Sequence, residues 1–259
     1  MSWSMRAGDR VAIPPRPCQI RDTPAVASVA AAALGSCRGP LSTKRADMYQ
    51  LYYYPSNASL APHFLLEEIG APHRLVLVDR SVDAHQSPEF RKLNPNARIP
   101  TLVDGDLVLW EAAAICLHLV DRHPESGLAP ALATPERAHF YKWLAYLTNT
   151  IQAEQLIYFY PERFSDDPAA APAIKSRAEA RVGAMFDMVD AQLADGGPYL
   201  LGTRLSAADH YLLMVARWSR HFARPARQRP ALGRLLARLA ERPAVARTFA
   251  SEGITAPLY

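Results

Sequence analysis

The sequence has few cysteines and no cysteine pattern. Its 259 residues include three, Cys18, Cys37 and Cys116. Their spacing fits neither a disulfide framework nor a zinc site, so a reducing compartment and a cytoplasmic location are expected. Cys116 lies within an apolar helical pattern and is predicted to be a small core residue rather than a reactive thiol.

Long hydrophobic runs are also absent. No apolar run reaches the roughly 18 residues that a membrane-spanning helix needs, so no membrane association is expected. Hydrophobic residues still make up 49% of the chain, which is enough to form a core. The length allows one large domain or two ordinary ones.

Most of the chain has almost no net charge. Residues 1–46 hold seven of the 29 basic and two of the 25 acidic residues, so the remainder has a formal charge of −1 although the whole chain has +4. Nucleic acid is therefore not an expected partner. Residues 1–46 are predicted to form a disordered extension; a targeting segment, or a true start at Met48, remain as alternatives.

The stretch from Asn94 to His123 predicts a strand, a tight turn, a second strand and a helix. Thr101–Val103 is a short apolar run, Asp104-Gly105 is a hairpin signal, and Leu107–Trp110 is the returning strand. The run that Glu111 opens has helical periodicity. Pro100 stands at the start of the first strand, where a proline is tolerated at an edge and where a cis bond would also fit.

The order of elements predicts two domains. A strand at 48–54, a helix ending at Gly70, a strand at 75–78 and a short helix at 88–93 precede this stretch, which gives β-α-β-α-β-β-α with a mixed sheet. After a linker at 126–130 only helical patterns follow. The predicted fold is α/β plus all-α, with domains at 47–126 and 134–255.

Three motifs resemble the cytosolic glutathione transferase superfamily of bacterial type. RIPTLVDGDLVLWEAAAI is similar to the family's glutathione-site segment, and PSNASLAPHFLLEEIG to its first turn and helix. LSAADHYLLMVARW with RLAERPAVARTFASEG resembles the C-terminal domain of the beta class. The resemblance covers about residues 48–254 and implies a thioredoxin-like N-terminal domain, a helical C-terminal domain, a homodimer, and glutathione as cosubstrate without a metal.

The resemblance also implies a glutathione-binding set. Pro100 matches the family's cis-proline, and Ile99 would pair its backbone with the cysteinyl part of glutathione. Glu111 would face the ammonium group of glutathione. The helix N-terminus beside Glu111 would bind the γ-glutamyl carboxylate. Ala112 stands where the family usually has serine, which removes one hydroxyl contact. His85 and Arg98 would contact the glycyl carboxylate.

The residue that activates the thiol is expected near the first helix. Ser56 falls where theta-like members place a catalytic serine, and Asn57 and Ser59 are the other candidates. A beta-class cysteine would fall at Ala58, and the beta-class histidine of the long helix at Gln152, so mixed-disulfide chemistry is not expected. Helical aromatic and polar residues are candidates for an apolar electrophile pocket, with a core role as the alternative: Tyr146, Thr150, Tyr158 and Trp218.

The expected activity is glutathione transfer to a small hydrophobic electrophile, as in detoxification. Lyase, dehalogenase or disulfide reductase chemistry is the second interpretation, because the same thiolate serves all three. A non-catalytic binding or regulatory protein is the third, because Ala58, Ala112 and Gln152 all depart from familiar contact residues.

Overall fold

The structure, a computed structural model, describes residues 48–259. The expected extension at 1–46 lies outside these residues. The first part of the described chain has four strands and three helices, in the predicted order. They are β1 (Tyr49–Tyr53), α1 (Leu60–Ile69), β2 (His73–Leu77), α2 (Pro88–Leu93), β3 (Thr101–Asp104), β4 (Leu107–Trp110) and α3 (Ala112–Arg122).

These strands form one mixed sheet in the order β2-β1-β3-β4. β1 pairs with β2 in parallel and with β3 antiparallel, and β3 pairs with β4 antiparallel. The helix α1 provides the crossover and ends at Gly70, whose φ of 72° is the left-handed conformation that glycine adopts without strain. The predicted mixed sheet is confirmed.

The hairpin turn lies one residue later than the sequence signal indicated. Asp104 pairs with Leu107 as the last rung of the ladder, so Gly105 and Asp106 form the turn. The Asp104 side chain does not serve the turn, because its Oδ2 lies 2.8 Å from Nε2 of His118 on α3. The Asp104 side chain is thus engaged in a tertiary contact rather than in the turn.

The rest of the described chain is helical, as predicted. Its helices are α4 (Pro135–Tyr146), α5 (Ala153–Phe159), α6 (Ala171–Gly196), α7 (Ala207–Trp218), α8 (Pro230–Ala240) and α9 (Pro243–Ser251). A π-helical segment at Leu147–Gln152 joins α4 to α5, which the sequence pattern did not indicate. Within residues 48–259, no helix has both the length and the apolar character needed to cross a membrane.

A capping box is present at the start of α7. The Ser206 backbone N–H donates to Asp209 Oδ2 at 2.8 Å, and the Leu200 N–H donates to Oδ1 at 2.8 Å. Asp209 is fully buried, and these bonds satisfy its carboxylate. The residue has a folding role.

Helix α1 connects the sheet to the helical part. The Phe64 ring packs edge-on against Phe249 of α9, with centroids 5.4 Å apart. Glu68 accepts hydrogen bonds from Arg242 Nε and from Arg242 Nη2 at 2.7 Å, and lies 3.1 Å from His210 Nε2. Burial alone would raise the pKa of Glu68, but the hydrogen bonds and charges of Arg242 and His210 outweigh it and lower the pKa to about 2.

Candidate functional site

A cavity of about 530 Å³ opens between the sheet and the helical part, a size typical of small-molecule sites. All six residues expected to bind glutathione line it: His85, Arg98, Ile99, Pro100, Glu111 and Ala112. Ser56, Asn57 and Trp218 line it as well. Folding thus brings nine of the predicted residues to one place.

The turn before α1 presents Ser56 to the cavity, and its neighbours fix it. Its φ is +61°, an uncommon conformation for a residue with a side chain. Its N–H donates to Glu252 Oε2 at 3.1 Å, and its carbonyl accepts from Trp218 Nε1 at 3.0 Å. Its hydroxyl oxygen accepts from Arg217 Nε at 3.2 Å and Nη2 at 3.0 Å.

The contact with Arg217 sets the direction of the Ser56 hydroxyl. A guanidinium can only donate, so it occupies the lone pairs of the hydroxyl oxygen and leaves the O–H proton for another acceptor. Burial, and then the positive charge of Arg220, lower the pKa of Arg217 to about 10, so the group stays charged at neutral pH. Ser56 is therefore a polarised hydrogen-bond donor that faces the cavity.

Ser59 does not reach the cavity. It is fully buried, and its hydroxyl donates to the Tyr54 carbonyl at 3.2 Å. The hydroxyl closes the turn between β1 and α1, which is a structural reason for a serine at this position. Asn57 lines the cavity, and its Oδ1 accepts from the Ala58 N–H at 2.7 Å.

The segment before β3 offers backbone groups to the cavity. The expected cis bond at Ile99–Pro100 is present. Buried Asn94 holds Arg98, the residue before Ile99, because Asn94 Nδ2 donates to the Arg98 carbonyl at 2.7 Å. Among the described residues, none forms a hydrogen bond with the backbone of Ile99, so this backbone is available to a ligand.

Helix α3 points its N-terminus at the cavity. Glu111 precedes the helix with a φ of +73°, and no side chain caps the helix among the described residues. Its first N–H groups and its dipole therefore form a site for a carboxylate. Ala112 is buried at this terminus and brings no hydroxyl.

His85 brings a buried nitrogen without a partner. Its Nδ1 has no hydrogen-bond partner within residues 48–259, and its Nε2 lies 3.9 Å from Asp83 Oδ1. An unpaired buried polar atom is costly unless a ligand or water satisfies it.

The cavity is rich in arginine, which the sequence did not reveal. Besides Arg98 it is lined by Arg80, Arg163 and Arg220, against one acid, Glu111. Arg80 Nη2 donates to the Tyr160 hydroxyl at 3.2 Å, and Arg163 stacks on the Tyr160 ring with its Cζ 4.0 Å from the centroid. Such a lining favours a ligand with net negative charge.

The apolar wall differs in part from the prediction. Trp218 belongs to it, together with Leu156 and Phe159 at the end of α5. Tyr146 and Thr150 do not line the cavity. Tyr146 packs edge-on against Trp143, with ring centroids 5.9 Å apart, and Thr150 lies inside the π-helical segment. Gln152, the last residue of this segment, lines the cavity.

Two further candidates have structural roles. Tyr158 is buried and its ring centroid lies 4.3 Å from that of Phe222, so the core role weighed for it applies. Cys116 is fully buried in the core, and burial raises the pKa of its thiol. A raised pKa removes the thiolate that reactivity needs.

Comparison with known proteins agrees with this arrangement. Residues 48–121 match "Glutathione S-transferase, N-terminal domain" and residues 149–243 match "Glutathione S-transferase, C-terminal domain". Together the two ranges cover more than half of the chain. The chain belongs to the glutathione S-transferase family.

Members of this family from several bacteria resemble the chain along most of its length. Glutathione S-transferase GST-4.5 of Xanthomonas campestris pv. campestris is 28% identical over 170 residues, which are 66% of this chain and 82% of the relative. The crystal structure of a glutathione transferase from Methylococcus capsulatus is 33% identical with a TM-score of 0.69, covering 80% of this chain and 99% of the other.

A sphingomonad glutathione S-transferase, solved in complex with glutathione, is 30% identical with a TM-score of 0.70. The match covers 80% of this chain and all of the sphingomonad chain. Both transferase structures share the sheet-and-helices fold described above.

Proposed function

We propose that this chain transfers glutathione to a small apolar electrophile, with Ser56 as the residue that stabilises the thiolate. The observation that carries the proposal is the Arg217 guanidinium on the Ser56 hydroxyl oxygen, at 3.0 and 3.2 Å. It leaves the Ser56 proton directed to a partner in the cavity, and a thiolate sulfur is such an acceptor.

The chemistry needs the thiolate. A free thiol with a pKa near 8.5 is only a few per cent ionised at neutral pH. A hydrogen bond to a charged group contributes about 1.5–3 kcal/mol, which corresponds to a pKa lower by roughly one to two units. The thiol proton leaves to solvent, the sulfur forms a bond to the electrophilic carbon, and the leaving group departs with the electron pair of the broken bond.

The rest of the cavity supplies positions for the tripeptide. The backbone of Ile99, held beside cis Pro100, would pair with the cysteinyl part, and the N-terminus of α3 would bind the γ-glutamyl carboxylate with Glu111 on the ammonium. His85 and Arg98 would bind the glycyl carboxylate. Glutathione carries two carboxylates and one ammonium, so its net charge complements the arginine-rich lining.

Trp218, Phe159 and Leu156 are proposed to hold the electrophile. The Phe159 and Trp218 rings meet edge-on with centroids 6.4 Å apart, which gives an apolar surface near Ser56. Shortening Phe159 to alanine should raise KM for an aryl electrophile about fivefold, because roughly 1 kcal/mol of apolar contact is lost. Steady-state kinetics with each substrate varied in turn checks this, and KM for glutathione is expected to stay within twofold.

Transfer is favoured over disulfide exchange by the composition of the site. None of the described residues that line the cavity is a cysteine, so no protein thiol is available for a mixed disulfide. We further propose domains at 47–126 and 134–255, a homodimer in the cytoplasm, and a role in detoxification. Sedimentation at micromolar concentration tests the dimer.

Binding and turnover together test the proposed function. Calorimetric titration with glutathione should give one site per chain, and an aryl halide should be consumed only when glutathione is present. Binding without turnover of any electrophile would favour the non-catalytic protein, and the absence of binding would refute the site.

Restoring a hydroxyl at position 112 should tighten glutathione binding. In an Ala112→Ser variant the new hydroxyl at the α3 N-terminus can donate to the γ-glutamyl carboxylate, worth about 1–1.5 kcal/mol, or about 5- to 12-fold in Kd. Titration calorimetry measures the change, with Ala113→Ser as the control on the same helix. An equal or weaker Kd in Ala112→Ser would show that the carboxylate lies elsewhere.

A further inference from the structure

Three side chains with metal-binding atoms converge where the end of α1 meets the start of β2, and none of the three lines the cavity. His63 and Glu67 are one helical turn apart on α1, and His73 is the first residue of β2. One ligand atom from each lies within 4.8 Å of the others, and His73 Nε2 is 3.6 Å from Glu67 Oε1. From the sequence no metal is expected, because the cysteine spacing does not fit a zinc site and the family resemblance implies none. The present cluster contains no cysteine, so cysteine spacing could not reveal it.

The hydrogen bonds of both histidines fix their tautomers. His63 Nδ1 lies 2.7 Å from Glu252 Oε1, and His73 Nδ1 lies 2.9 Å from the Ala71 carbonyl oxygen. A carboxylate and a carbonyl can only accept, so each Nδ1 carries a proton. In the neutral rings each Nε2 then carries a lone pair that can bind a cation, and the Nε2 of His73 faces Glu67 Oε1. This is how outer-shell acceptors prepare metal-binding histidines.

The buried Nε2 of His63 has no short donor. The side chain has 0% exposure. Ser251 Oγ is 3.5 Å from this nitrogen, and the serine hydroxyl donates to the Thr248 carbonyl at 3.0 Å instead. Among the described residues, the hydrogen bond available to His63 Nε2 is therefore this long contact with Ser251, which a bound cation would replace.

Glu67 keeps one oxygen for a ligand. Arg247 Nε donates to Glu67 Oε2 at 2.6 Å, and Oε1 is the oxygen that faces His73. The side chains of Glu67 and His73 are partly exposed, at 19% and 14%. They can therefore both move inward and admit an ion from solvent.

We propose that His63, Glu67 and His73 bind a divalent transition-metal cation, with Zn²⁺ the best match, and that a water completes the site. Two imidazole nitrogens and one carboxylate oxygen are a common zinc set, with bonds of about 2.0–2.2 Å. Tetrahedral geometry then places neighbouring ligand atoms about 3.4 Å apart, so the atoms, which now lie within 4.8 Å of one another, must move closer together when the ion binds. Glu252 and the Ala71 carbonyl would be the outer shell.

The ion would fasten α1 to β2. It would also lie next to the machinery of the cavity without entering it, because Glu252 accepts from His63 through one oxygen and from the Ser56 N–H through the other. The proposal does not depend on the transfer reaction.

Zinc titration of the full-length, untagged protein tests the site. The protein is first treated with a chelator, no thiol or glutathione is added, and ZnCl₂ binding is followed by calorimetry. We expect one Zn²⁺ per chain, visible d–d bands when Co²⁺ replaces it, and a higher Tm with the ion bound. No binding in the wild type, or octahedral Co²⁺ spectra alone, would overturn the proposal.

Variants assign the ion to these residues. His73→Gln, at a partly exposed position, should weaken Zn²⁺ binding by about 100-fold or more. The exposed His139→Gln and a Cys18→Ser, Cys37→Ser double variant should bind as the wild type does. Arg247→Ala should tighten binding about threefold, because it removes a competing positive charge from Glu67. Unchanged affinity in a folded His73→Gln variant, or loss of binding in either control, would place the ion elsewhere.

Discussion

Replacing Ser56 with alanine is expected to slow transfer by about 10- to 150-fold and to raise the pKa of the bound glutathione thiol by about one to two units. The variant removes the one hydroxyl that Arg217 orients toward the cavity. Binding should change little, because the backbone N–H and carbonyl of residue 56 keep their partners Glu252 and Trp218.

The thiol pKa is read from the ultraviolet absorbance of the bound thiolate as pH is varied, and from the pH dependence of kcat/KM. Since the variant loses a group that favours the thiolate, its rate should rise with pH over a range where the wild type has already levelled off. Ser176→Ala, at an exposed position on α6, serves as a matched control.

Ser59→Ala distinguishes the two serines of the turn. It removes the bond to the Tyr54 carbonyl, so we expect a lower Tm with an unperturbed thiol pKa. A wild-type thiol pKa in Ser56→Ala would exclude Ser56, and a raised pKa in Ser59→Ala would transfer the role to that residue.

Glu68→Gln is expected to lower the free energy of unfolding by about 3 kcal/mol. The buried carboxylate holds Arg242 and His210, and removal of its charge leaves a largely buried cation without its partner. We take the lower end of the usual cost, because the Arg242 side chain is 34% exposed and water can partly replace the lost partner. For a domain of this size the loss corresponds to a Tm lower by about 6–12 °C.

Chemical denaturation followed by circular dichroism measures the change. Glu136→Gln, an exposed acid on α4, controls for the loss of a negative charge and should stay within about 0.5 kcal/mol of the wild type. A Glu68→Gln variant as stable as that control would mean that the network contributes nothing net to stability.

The order of elements could be predicted because local chemistry specifies it. The apolar strand runs, Gly70 and the linker at 126–130 are all short-range signals, and they give the mixed sheet and the later helices correctly. That the residues from 98 to 112 share one cavity could also be predicted, because they lie close together in one continuous motif. Their convergence on one cavity follows from that compact segment.

The parts that failed depend on tertiary contacts. The hairpin turn consists of Gly105 and Asp106, one residue later than predicted, and the Asp104 side chain contacts His118. Tyr146 and Thr150 do not line the cavity, and a π-helical segment follows Tyr146 directly and contains Thr150. A single sequence carries no periodic signal for one extra residue in a helix, so the phase of α5 could not be derived from it.

The hydrogen-bond partners of Ser56 could not be predicted from the sequence either. Arg217 follows it by 161 residues and Glu252 by 196. Neither residue belongs to a motif with Ser56. An arginine at the end of an amphipathic helix would be predicted to be exposed to solvent. The folded chain is needed to show that it is buried beside a hydroxyl.

The Glu252 contact sets the time at which the site is completed during synthesis. The sheet and the turn that carries Ser56 leave the ribosome early, but the carboxylate that accepts the Ser56 N–H follows 196 residues later. At typical elongation rates this is a delay of roughly 10–40 s. During that interval the nascent sheet lacks the carboxylate that fixes the Ser56 turn, so a growing chain would present an unfinished site until α9 packs against α1.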